Sequence, residues 1–134
     1  MESFKDVSAS IARAADICLK PWKHAVFVDN QPRVKEFFDG EHDELILRIE
    51  CRNLSGVRCP DNDLELEIYR SGNDFNLMLF STSRTEQPIL WQGQQSVWMD
   101  GQSGKRCQKP SYGDGLEAFT RRLRALFVIP ENEK

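Results

Sequence analysis

A chain of 134 residues and 15.5 kDa is long enough for one domain, 1–134, with a core of its own. Hydrophobic residues at 40% and charged residues at 29% exclude a disordered chain, and a net charge of -3 with a pI near 5.4 argues against nucleic acid as a general partner. No apolar run reaches the eighteen or so residues that span a bilayer, and MESFKDVSAS lacks the order of a secretion signal, so a cytoplasmic protein with no membrane partner is expected.

In chain order, residues 4–19 place Phe4, Val7, Ile11, Ala14, Ala15 and Cys18 at spacings of three and four, the stripe of an amphipathic helix. Ser3 with Asp6 caps its start, and Pro21 ends it, because the residue before proline is pushed out of helical geometry. A short strand is expected at 25–28 with Trp22 as a lid under it, and Pro32 opens a helical turn, PRVKEFFDG, that Gly40 stops. Residues 44–52 alternate Leu45, Leu47, Ile49 and Cys51 with Ile46, Arg48, Glu50 and Arg52, which is strand periodicity with one wet face. A second hairpin follows, with Leu64, Leu66 and Ile68 turning through Ser71-Gly72-Asn73 into Phe75, Leu77 and Leu79. STSRTEQP is a polar connection.

The run QPILWQGQQSVWMDGQSGKRC then reads as two strands folded on each other and a third leaving through a glycine-marked turn. A turn centred on Gly93-Gln94 puts Ile89, Trp91, Ser96 and Trp98 on one face and Leu90, Val97 and Met99 on the other. A turn centred on Gln94-Gln95 pairs Trp91 with Trp98 directly. Either way both tryptophans share a face and both faces are apolar, although a small domain needs only one apolar face for its core. The last helix carries Leu116, Phe119, Leu123, Leu126 and Phe127, with Asp114 and Glu117 as a capping box, arginines near its negative end, and Pro130 closing it. The whole is an α+β domain: an antiparallel meander of five to six strands with an N-terminal and a C-terminal helix on one face.

Chemistry-bearing motifs are scarce. Asp61, Asn62, Asp63, Glu65 and Glu67 suggest a calcium loop, yet the sixth position, where an EF-hand needs glycine, is Leu66. Cys18, Cys51, Cys59 and Cys107 form no C-x-x-C and, with two histidines, spell no zinc site; they are expected as reduced, packed thiols, with a Cys51–Cys59 pairing left open. Cys107 with His24 or His42 belongs to no recognisable catalytic motif, and no G-x-S-x-G, GxGxxG or GKS/T is present, so no catalytic residue, metal or cofactor is expected.

What remains is an aromatic and basic cluster: Trp91, Trp98, Lys105, Arg106, Arg121 and Arg122, with Lys109 and Arg124 nearby. Trp and Arg concentrate binding energy at protein contacts, so the leading expectation is a non-enzymatic protein-binding module, an assembly factor or chaperone for a partner protein or peptide tail. A single-stranded nucleic-acid binder, stacking bases on these rings, is the alternative, and a small enzyme of unrecognised chemistry is the third. The strand edge at 105–108 is expected to stay open for a second copy of the chain or an acidic peptide.

WQGQQSVWMDGQSGKRC followed by GLEAFTRRLRALF resembles a small uncharacterised family of cyanobacterial cytosolic proteins. The resemblance covers about the last third of the chain. It implies an accessory protein that helps assemble a large complex such as the carboxysome or photosynthetic machinery, and it carries over no catalytic residue.

Overall fold

The computed structural model describes residues 4–28, 42–71, 74–82 and 88–127. A helix, α1 (Phe4–Cys18), leads into six strands: β1 (Lys23–Val28), β2 (His42–Arg52), β3 (Leu64–Ser71), β4 (Asp74–Ser81), β5 (Ile89–Gln92) and β6 (Ser96–Met99). A second helix, α2 (Gly113–Phe127), ends the order, and one 3-10 turn, Pro60–Asn62, precedes β3. The strands form one antiparallel sheet in the order β1-β2-β3-β4-β5-β6, so every strand pairs with its neighbour in sequence. The expected α+β meander is therefore a six-stranded one. The expected capping residue Ser3, the turn at 32–40 and the stop at Pro130 lie outside the described residues.

Alternation in the strands selects the core. Leu45, Leu47 and Ile49 of β2, Leu66 and Ile68 of β3, and Leu77 and Leu79 of β4 face one side and are almost wholly buried. On that side they meet Val7, Ile11, Ala14 and Ala15 of α1, and Phe119 and Leu123 of α2, in one cluster. Helix α1 lies over β1 and α2 over β4 and β5, and the two touch. Leu126, expected on the same stripe, is exposed instead, three residues after the buried Leu123.

The tryptophan hairpin differs from both expected forms. Its pairs are Ile89↔Met99, Leu90↔Trp98, Trp91↔Val97 and Gln92↔Ser96. Three residues, Gly93, Gln94 and Gln95, therefore form the connection, and the Gly93 amide donates to the Gln95 carbonyl across it at 3.2 Å. An odd connection shifts the pairing of β6 by one residue relative to either two-residue turn. Leu90, Gln92, Ser96 and Trp98 consequently face the helices, while Ile89, Trp91, Val97 and Met99 face away. The two tryptophans are back to back across the sheet, not on one face. Trp98 is 5% exposed and Trp91 36%.

Candidate functional site

Register determines what the helix-free face carries. On the β1 to β3 half it is amphipathic: Phe27 lies under the Arg48 guanidinium at 5.6 Å, with Glu50, Glu65 and Glu67 alongside. On the β4 to β6 half it is apolar. Met78 pairs with Trp91 and Trp91 with Val97, and Phe80, Ile89 and Met99 form the adjacent row. Met78, Phe80, Ile89, Val97 and Met99 are half-buried and Trp91 is exposed, so no described helix covers this patch.

The basic residues do not gather around both rings. After β6 the chain reverses at Asp100–Gly104, where Gly104 adopts a left-handed φ of 72° that L side chains resist. Residues 105–107 then fold back along β6: the Asp100 amide donates to the Lys105 carbonyl at 2.7 Å, the Cys107 amide donates to the Trp98 carbonyl at 2.8 Å, and Arg106 bridges Met99. Opposed residues of an antiparallel pair share a face, so Arg106 lies beside Met99 on the rim of the apolar patch while Lys105, one residue before it, alternates away. That bridge also turns the Arg106 amide and carbonyl outward, on the side away from β6. Arg121 and Arg122 are exposed on α2, across the sheet from Trp91. Of the six residues expected together, Trp91 and Arg106 share a surface; Trp98 is core, Lys105 alternates to the other face, and Arg121 and Arg122 belong to the helix layer.

Trp98 is held where it is by a residue the sequence assigned elsewhere. Glu117 forms no capping box with Asp114, which is exposed in the first turn of α2 and bonds Lys109 Nζ. Instead its carboxylate accepts from Trp98 Nε1 at 2.7 Å, with Lys109 and Arg121 flanking it at 3.6 and 3.4 Å. Gln92 completes the seam on the same face: its Oε1 accepts from Ser96 Oγ and from Thr120 Oγ1 of α2 at 3.0 Å.

Two further polar clusters sit at the end of the sheet where α1 stops and α2 begins. His24 of β1 is paired with Cys51 of β2 on the helix side, and its Nδ1 meets Asp16 of α1 at 2.9 Å. Asp63, expected in an acidic loop, is buried; it accepts two hydrogen bonds from Arg58, at 2.9 and 2.7 Å, and one from the Cys51 amide at 2.8 Å. Burial raises the Asp63 carboxyl, but these bonds outweigh burial and hold it below the ordinary carboxylate value. Burial, then Cys59 and Asp63, push the Cys51 thiol up to about 11, which disarms it as a nucleophile. Cys107, the thiol weighed with His24 from sequence, packs against the core near Trp98 instead. All four cysteines are free thiols, and among the described residues no group of His, Cys, Asp and Glu could hold a metal ion. No described helix is long and apolar enough to cross a membrane. The Asp16–His24 and Arg58–Asp63 contacts join residues with no shared motif, so spacing alone could not have found them.

Residues 8–126 match the family model described as a domain of unknown function, DUF8659, and the chain belongs to that family. No curated protein and no solved structure matches it.

Proposed function

For this DUF8659 chain we propose a non-enzymatic protein-binding module, an assembly factor or chaperone, that receives a peptide tail or partner subunit on the helix-free face around Trp91. The observation that supports it is the apolar half-face of β4, β5 and β6, on the opposite side of the sheet from the core, with Trp91 36% exposed at its centre. Apolar surface that folding leaves uncovered is the surface association can bury, and an exposed Trp next to Arg106 is the composition of a contact. The outward amide and carbonyl of Arg106 add a place where an extended chain, or a second copy of this one, would pair, and the cations there favour an acidic flank. The proposed setting is the cytoplasm of a cyanobacterium, with assembly of a large complex as the task, on the strength of the resemblance noted above. The single-stranded nucleic-acid alternative loses its geometric support, since Trp91 and the arginines of α2 lie on opposite sides of the sheet.

A photo-crosslinking amino acid placed at position 91, and separately at position 122, tests the reading in cells. Position 91 is expected to capture a discrete protein that position 122 does not. Equal capture at both positions, or none at 91, overturns it.

A further inference from the structure

A cleft of about 380 Å³ opens at the end of the sheet, beneath the meeting point of the two helices. It is lined mainly from the helix side and Trp91 is not among its lining residues, although Phe80 of the open face also lines it. Its wall is apolar and partly aromatic, built from Leu19, Trp22, Leu64, Leu79, Trp98 and Leu116. A volume of this order admits a small molecule of one or two rings, and a wall of this composition suits a flat apolar body. The back of the cleft is kept narrow at Gly115, where a Cβ would stand 3.0 Å from the Cys18 carbonyl oxygen.

The polar groups in the cleft decide what else the occupant must have. Asp63 is saturated by Arg58 and the Cys51 amide, and the Cys51 thiol stays protonated, so neither offers a charge to a ligand. Among the described lining residues Lys20 is the one lysine or arginine and it is exposed, so none of them gives an entering anion a buried counter-charge. His24 is different. Its side chain is 2% exposed, it lines the cleft, and the Asp16 carboxylate holds its Nδ1. In the neutral ring a carboxylate on Nδ1 keeps the proton there and makes Nε2 an acceptor. His24 lines a sheltered, largely apolar cleft, so an acceptor there is matched by a donor on the occupant, and a donor on a flat apolar body is a hydroxyl or N–H on an aromatic ring.

We propose that this cleft is a binding site for a small uncharged aromatic molecule carrying a hydroxyl or ring N–H, with that donor on His24 Nε2 and the ring against the apolar wall.

Amide NMR titration of the intact protein with phenol, toluene and benzoate as probes tests it. Phenol is expected to shift the amides of Leu19, Leu64 and Gly115 saturably, and toluene to bind there roughly tenfold more weakly because it leaves the His24 acceptor unmatched. Benzoate is expected not to bind. His24→Phe should bring phenol down to the affinity of toluene, while Trp91→Ala should leave all three probes unchanged. Absence of saturable shifts at the cleft, equal affinity for phenol and toluene in the wild-type protein, or benzoate binding as well as phenol would each overturn the assignment. The wild-type comparison decides even where the His24 variant does not fold. Because Trp91→Ala spares the cleft, failure here leaves the reading of the open face standing, and the reverse holds too.

Discussion

Asp63 joins three parts of the chain through one buried carboxylate: the end of β2 by the Cys51 amide, the following loop by Arg58, and the start of β3 by its own backbone. Since hydrogen bonding depresses its folded pKa, the stability it contributes is complete above the unfolded carboxylate value, ~3.9, and is lost as pH falls through the lower folded value. Asp63→Asn keeps the shape but removes the charge, and is expected to cost about 1.5–3 kcal/mol at neutral pH, the range for hydrogen bonds to charged groups. Urea unfolding of both proteins at neutral pH and near the acid limit checks the sign. The gap should narrow in acid, where the wild-type carboxyl is protonated too; a gap of constant width would mean that the ion pair is not its source. The alternation of acidic residues from Asp61 to Glu67 gave no hint of this, because it cannot tell a carboxylate in a wet turn from one folded under an arginine.

At the scale of elements, the strands were legible wherever one face was apolar and the other charged. Leu45, Leu47 and Ile49 against Arg48 and Glu50 admit one orientation, and β2 takes it. The β5–β6 hairpin carries no such asymmetry: Ile89, Leu90 and Trp91 run together, as do Val97, Trp98 and Met99, so a one-residue slip costs the pattern nothing. Its register is set by partners distant in sequence, Gln92 with Thr120 and Trp98 with Glu117. The candidate site was legible in composition, an aromatic and basic surplus, but not in arrangement. The two rings should accordingly behave oppositely. Trp98→Ala is expected to lower unfolding stability by about 3–5 kcal/mol, the usual cost of truncating a buried aromatic. Trp91→Ala should cost below about 1 kcal/mol, as exposed positions do. Denaturant midpoints measure both, and comparable losses would return Trp91 to the core.

For the whole molecule, the sheet divides two environments with different tasks: the helix side holds the core and the cleft, and the other side holds the patch around Trp91 with Arg106 at its rim. The strand order β1-β2-β3-β4-β5-β6 also bears on how the chain reaches this state. Each strand can add to the one just formed by closing a connection far shorter than the stretch from Cys18 to Gly115 that the contact of α1 with α2 closes. Loop-closure entropy therefore places the central hairpins early and the docking of the helices late. Ile68→Val, in β3 at the middle of the sheet, is expected to slow folding, and Ile11→Val, on α1, to speed unfolding with the folding rate nearly unchanged. Stopped-flow kinetics on the two variants reads this directly, and a slower folding rate for Ile11→Val would mean that the helices meet before the sheet has formed.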